Sequence, residues 1–483
     1  MPEGAASAPP AAGIGRAWSA QRGGLLSVSA QAGAFVLRFL ATLVLARLLT
    51  PVDYGVYTVA AALLAGFALF KDLGLGAAAV QRSEVTRGLA STLFWVNAGI
   101  GLGLSLAAAA LSPLAGRVFG DLRVGQACLG LAVVPLLDGL GVQPVASLKR
   151  RLRLGALAAI DAAAVLLGVL LAIASARAGA GFWALVAMHT SIAGVTAAAA
   201  WLASGLRPGV PGRGHGLRHL LRFGSHVTLL GVSSYVTRNA DTLLIGWALG
   251  PRPLGLYDKA YQLMQTPAQL VTQPLAGVAI SVLSRLQDDA VRYRRHYREL
   301  ARMASNLALP ATAFLVVTAD RLLPFLLGPQ WIPSVPVFRA LAAAAFFDAL
   351  ATSAGWIYMS LGRAGRQVGF SLAASFLTVA ALTLALPWGV VGVAWTFSAC
   401  RGLLCLPAIV WACRESPVTW HEPLRWSLPA VVASLGAAGL CGALGLPSAA
   451  APAVVALAVA ASVFVSVHAA LWLLGCWIWR RDI

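Results

Sequence analysis

Charge is what this 483-residue sequence lacks most: Asp, Glu, Lys and Arg make up only 11% of it. A soluble domain carries about 25%, so a water-facing globule of this length is excluded. The 17 acidic residues are outnumbered by 36 Lys and Arg. Cysteine is equally sparse. The six (Cys128, Cys400, Cys405, Cys413, Cys441, Cys476) form no C-x-x-C pair, so a disulfide scaffold or cysteine metal site is not indicated and they read as small hydrophobes. No G-x-x-x-x-G-K-[ST] loop occurs, and neither a catalytic triad nor a cluster with metal-ligand spacing is visible. No cofactor and no enzymatic activity are expected. Alternating strand patterns are missing as well, which argues against a membrane barrel. No cleavable signal peptide is apparent; residues 1–20 read as a disordered lead.

What the sequence has is apolar length. Hydrophobic residues account for 59%, and the mean hydropathy is +0.79. Apolar runs of roughly 20 residues, each enough to cross a bilayer core of about 30 Å, recur through the whole chain. Fourteen candidate helices are expected, at 24–48, 55–80, 89–112, 121–144, 155–176, 180–204, 224–249, 255–284, 303–327, 334–361, 366–386, 389–412, 425–446 and 450–478. The chain therefore reads as an all-α polytopic membrane protein.

A net charge of +19 would suggest nucleic acid in a soluble chain, yet its distribution has another cause. With alternate connections assigned to the cytoplasm, starting from the N-terminus, that side holds 24 of the 36 Lys and Arg and the other side 5. This is the positive-inside bias, and shifting the helix count by one abolishes it. Both termini are expected in the cytoplasm, and no nucleic-acid partner is expected. The basic stretches 147–155 (SLKRRLRLG) and 285–303 (RLQDDAVRYRRHYRELARM) read as cytoplasmic connections, the second as an interfacial helix near anionic lipid. Residues 215–224 read as a similar in-plane helix.

The turn LTPVDYGVY (49–57) recurs as LGPRPLGLY (249–257), 200 residues later. Residues 36–63 and 236–263 share ten identities in 28 positions, several times the chance level. Helix one therefore corresponds to helix seven and helix two to helix eight. Six spans separate the copies, so the repeat is parallel. The expected organisation is an N-lobe at 21–212, a C-lobe at 213–415, a shared central cavity, and an appended helix pair at 416–483.

Charges inside spans cost roughly 2.5–3.5 kcal/mol each, which makes them site candidates. Arg38 and Arg238 occupy equivalent repeat positions in the middle of spans one and seven. Two guanidiniums on one cavity would form a fixed anion site suited to phosphate. Asp241 and Asn239 stand beside Arg238, and Lys71 and Asp72 fall in span two. The competing reading pairs Arg238 with Asp241 and Lys71 with Asp72 as structural locks. Asp138, Asp161, Asp348 and Arg401 read as isolated charges, and His189 and His226 as single histidines outside any proton relay. Along span eight, Asp258, Gln262, Gln265, Gln269 and Gln273 share one helical face, where amides could meet sugar hydroxyls. Interhelical hydrogen bonding is the alternative. Pro267 and Pro274 are expected to bend that helix.

Together with LARLLTPVDYGVY, the segments DLGLGAAAVQR, SYVTRNADTLLIGWALGPRPLGLYDKAYQLMQTP and GPQW (328–331) resemble polysaccharide-transporter flippases of the Wzx type, in the multidrug/oligosaccharidyl-lipid/polysaccharide exporter superfamily. The resemblance covers roughly residues 20–415. It implies a bacterial inner-membrane protein that turns undecaprenyl-diphosphate-linked oligosaccharide, a surface polysaccharide or lipopolysaccharide precursor, from one leaflet to the other by alternating access. It also implies that Arg38 and Arg238 receive the diphosphate, with Asp241 at the acidic position of the R-N-x-D segment. Membrane lipids are implied partners, and a polysaccharide polymerase and a chain-length regulator are further candidates. The alternative within the superfamily is a cation-coupled exporter of drugs or other small molecules.

Overall fold

The computed structural model of the chain describes residues 33, 36–68, 87–206, 208–209, 235, 239–448 and 451–479. Helix dominates, and no strand occurs among the described residues. In chain order the helices are α1 (36–48), α2 (Pro51–Ala68), α3 (Arg87–Val118), α4 (Leu122–Leu131), α5 (Val134–Arg150), α6 (Leu154–Arg177), α7 (Trp183–Ser204) and α8 (239–249). They continue with α9 (Pro251–Ser284), α10 (Ala290–Leu327), α11 (Val335–Ser360), α12 (Ala364–Ala385), α13 (Gly389–Cys413), α14 (His421–Ala443) and α15 (Ala453–Trp479). Each of the fourteen expected spans contains helix, the first, second and seventh only through their described portions. Ten stretches among the described residues are long and apolar enough to cross a membrane by length and composition. The protein is an all-α polytopic membrane protein.

Local chemistry moves several boundaries. The fourth span is two helices, α4 and α5, because the chain turns at Ala132–Val133 and Pro135 restarts the helix at its first turn, where a missing N–H costs nothing. Ahead of it, Asp121 caps α4 by accepting from the Arg123 amide. Hydrogen bonds from the Arg123 side chain hold the Asp121 carboxyl below the usual carboxylate range. The cap's stabilisation is therefore present at neutral pH and fades only as the pH falls through that lowered value.

The basic stretch 285–303 is not a separate interfacial helix. Asp289 accepts from the Arg292 amide and starts α10 at Ala290, and the helix then runs unbroken for 38 residues. At about 1.5 Å per residue it is roughly 57 Å long, well beyond a bilayer core of about 30 Å. Its basic end is a rigid extension of the span, held by buried Tyr293 and Tyr297. Likewise α9 continues through Pro267 and Pro274.

The chain divides into two compact units, residues 1–49 with 60–232, and residues 50–59 with 233–483. In the first, Ala41 of α1 packs on Val165 and Val169 of α6. In the second, α10, α11, α13 and α14 share a core of Tyr293, Tyr297, Trp356, Ile357, Ile409 and Trp426. Ser398 of α13 donates to the Ala340 carbonyl at 2.5 Å and accepts from the Ala344 amide, pinning α13 on α11. Ala437, Cys441 and Phe464 join α14 to α15.

Residues 50–59, which open α2, belong to the second unit, which explains the repeated turn. Thr50 and Asp53 exchange hydrogen bonds across the first turn of α2, with Pro51 as its first residue, a reciprocal capping arrangement. The matching position before α9 is Gly250, at φ 87°, a left-handed backbone that glycine adopts without strain. The two turns then meet. A Cβ on Gly55 would lie 1.7 Å from the Pro251 carbonyl oxygen, and one on Gly255 would lie 1.8 Å from that of Pro51. Residues 200 apart in sequence thus cross reciprocally, each glycine against the other copy's proline. Beside the crossing, Tyr54 meets buried Trp331 edge-on at 5.5 Å, so the tryptophan of the GPQW motif packs against the repeated turn.

Candidate functional site

Arg38 lies on α1, one helical turn before the Thr42 hydroxyl that back-bonds to its carbonyl. The Ala41–Val165–Val169 seam brings α1 onto α6, and one turn earlier on each helix Arg38 meets Asp161. Its Nη2 donates to Asp161 Oδ1 at 2.7 Å, while the Arg38 side chain stays 56% exposed. Asp161, expected to be isolated, is therefore the partner of Arg38. Half-neutralised, a guanidinium can persist inside a span at reduced cost, and most of its five N–H donors remain available for a second anion.

Asp241 on α8 is buried at 7% exposure. Its carboxylate accepts from the Tyr257 hydroxyl of α9 at 3.0 Å and from the Thr242 amide at 2.8 Å. Aromatic contacts carry this polar spot outward. Tyr257 stacks on Tyr261, Tyr261 meets the edge of Phe397, and the Arg401 guanidinium lies 5.1 Å from the Phe397 ring centre. Arg401 on α13 also pairs with Asp348 of α11 at 3.6 Å, so neither is an isolated charge. Asn239 donates its side-chain amide to the Tyr235 carbonyl four residues earlier, at 3.0 Å.

The polar face of α9 gains a member that its spacing did not single out. Lys259 is buried at 6% exposure, 3.5 Å from Asp258, donating to Gln262 Oε1 at 2.6 Å and standing 4.1 Å from the Tyr54 ring centre. Such a buried ammonium is held by a carboxylate, an amide and a π face together. Gln262 and Gln273 are exposed and Gln265 is half-buried. Arg238, Lys71, Asp72 and His226, the in-plane stretch 215–224, and the side chain of Gln269 lie outside the described residues. The structure thus places Arg38 with Asp161 in the first unit, and Asp241, Asn239, Gln262 and Gln265 on adjoining helices α8 and α9 of the second. No group of three or more potential metal ligands occurs among the described residues.

A family profile described as "Polysaccharide biosynthesis protein" matches residues 44–336. The lipopolysaccharide biosynthesis protein WzxC of Escherichia coli (strain K12) is 26% identical over 349 residues, spanning 71% of this chain and 70% of WzxC. The teichuronic acid biosynthesis protein TuaB of Bacillus subtilis (strain 168) is 24% identical over 335 residues, 67% of this chain and 69% of TuaB. Among solved structures, the lipid II flippase MurJ in an inward closed conformation superposes with a TM-score of 0.76 at 11% identity, over 95% of this chain and 99% of MurJ. That likeness is one of fold.

Proposed function

Because the chain belongs to the family of polysaccharide biosynthesis proteins, whose profile spans more than half of it, we propose that it is a flippase for undecaprenyl-diphosphate-linked oligosaccharide. It moves this precursor across the bacterial inner membrane by alternating access and makes or breaks no covalent bond. WzxC and TuaB are named for lipopolysaccharide and for teichuronic acid biosynthesis, two different glycans. The proposal therefore commits to the lipid diphosphate and leaves the sugar sequence open.

The observation that carries it is Arg38: a guanidinium in the middle of a span, braced by Asp161 yet still half-exposed. Such a group suits a diphosphate, which takes forked donors and needs a charge that never dissociates. Arg238, its repeat partner in sequence, supplies the second cation of the site. Asn239, Asp241, Gln262, Gln265 and Gln269, with Lys71 and Asp72, complete the proposed polar route for the glycan. Both termini lie in the cytoplasm, on the strength of the 24-to-5 bias of basic residues, and the prenyl tail stays in lipid. A polysaccharide polymerase and a chain-length regulator act on the delivered product.

Deleting the gene in its own host tests this. Surface polysaccharide is expected to disappear while lipid-linked precursor accumulates on the cytoplasmic leaflet, and a plasmid copy restores both. A deletion strain with unchanged surface polysaccharide and no accumulated precursor contradicts the proposal.

A further inference from the structure

Where α10 and α14 begin, a cavity of about 410 Å3 opens, lined by Arg294, Arg295, Arg298 and Arg302 of α10 and by Arg425 and Trp426 of α14. Nothing in the proposed transport route uses it. Five of the eleven residues from Arg292 to Arg302 are arginine, and positions 294, 298 and 302 repeat every fourth residue, which sets them along one helix flank.

The cavity's charge is far from balanced from within. Glu422 is the single carboxylate in its lining. Glu422 is engaged by both Nε and Nη2 of Arg294, with Nε at 2.6 Å, and accepts from the Thr419 amide at 2.9 Å. Arg295 pairs with Glu299 at 3.4 Å, and Arg298 has no carboxylate partner among the described residues. With five guanidiniums and one carboxylate, the lining is net positive and its field attracts an external anion.

The surroundings indicate how that anion arrives. The basic half of α10 is the part of a 38-residue helix that outruns the bilayer core. Val291, 81% exposed, and the Trp426 ring give the cavity apolar walls beside its charges, the mixture found at headgroup depth. Pro417 and the α14 start complete a wall that Arg294 clamps to α10 through Glu422.

We propose that this cavity is a binding site for the phosphate of an anionic lipid, separate from the transport route, and that the bound phosphate ties α10 to α14. The site stands whether or not the chain moves a glycan; only its assignment to the cytoplasmic leaflet rests on the orientation proposed above. Two lipids of that leaflet carry the required chemistry, a phospholipid headgroup and a prenyl diphosphate.

The test measures binding to the purified full-length protein of phosphatidylglycerol, a long-chain prenyl diphosphate, phosphatidylcholine and inorganic phosphate. Both anionic lipids are expected to bind more tightly than phosphatidylcholine. The double variant Arg298→Gln/Arg425→Gln, one change on each helix, is expected to weaken them about tenfold or more. The tighter of the two names the natural source. Glu422→Gln frees Arg294 and is expected to tighten anionic lipid severalfold, a gain that a purely structural cluster would not produce. If the double variant misfolds, Arg298→Gln alone carries the test with a smaller loss. Equal binding by wild type and the Arg298 variants overturns the site, and inorganic phosphate binding as tightly as lipid overturns its assignment to a membrane lipid.

Discussion

Replacing Gly255 with alanine is expected to destabilise the protein by about 1–3 kcal/mol, the range for overpacking a filled site, and at the upper end of it. The added methyl would fall 1.8 Å from the Pro51 carbonyl oxygen, and neither side of that contact is a flexible side chain that could rotate away. The start of α2 must move off α9, disturbing the Tyr54–Trp331 contact and the Lys259 ammonium above Tyr54. Gly55→Ala meets the same obstacle from the opposite side and is expected to match it. Gly277, on the same helix as Gly255, has nothing within 4 Å of its virtual Cβ, so Gly277→Ala is expected to leave stability unchanged or raise it through helix propensity, worth about 1 kcal/mol. Thermal unfolding of the purified proteins compares the three. A Gly255→Ala melting temperature equal to wild type would show that the crossing is looser than described.

The second large effect concerns Arg38. Arg38→Ala is expected to reduce delivery of surface polysaccharide about tenfold or more, since a charge-assisted contact to a desolvated anion contributes about 1.5–3 kcal/mol. Arg238→Ala is expected to act alike. Asp161 separates the two explanations of Arg38. As a structural lock, its loss should hurt as much as the loss of Arg38, and Arg38→Ala/Asp161→Asn should recover, because no unpaired charge remains in the span. As a diphosphate receptor, Arg38 should tolerate Asp161→Asn, and the double variant should stay inactive. Surface polysaccharide, scaled to membrane protein content, reads the difference. Recovery by the double variant would assign Arg38 to packing.

These residues also show what a single sequence exposes. Apolar runs and the Pro and Gly between them marked a helix for every span, because in lipid the backbone has few alternatives to helix. The repeat offset pointed to Gly55 and Gly255 as equivalents, but not to their touching, since α2's first turn leaves the unit of the helix before it. Arg38 stood out by its cost in a span. Its partner Asp161 is 123 residues away, and no local pattern joins them. Arg401 and Asp348 stayed unmatched for the same reason. The spacing of arginines at 294, 298 and 302 was visible and consistent with helix, yet so many charges read as a connection; Asp289 as N-cap followed by buried Tyr293 and Tyr297 is the signal that places α10's start earlier. Lys259 lay beside Asp258 on a face already noticed for its glutamines, and only burial reveals it as the hub.

Translocation itself is the decisive measurement. The full-length protein is reconstituted into vesicles with a fluorescent prenyl-diphosphate-linked oligosaccharide in both leaflets, and a membrane-impermeant reagent bleaches the outer pool. In the presence of the protein nearly all of the fluorescence should become accessible, faster than in empty vesicles, and Arg38→Ala should slow the exchange. Exchange no faster than in protein-free vesicles, or equally fast for a prenyl-linked glycan without the diphosphate, would contradict the account.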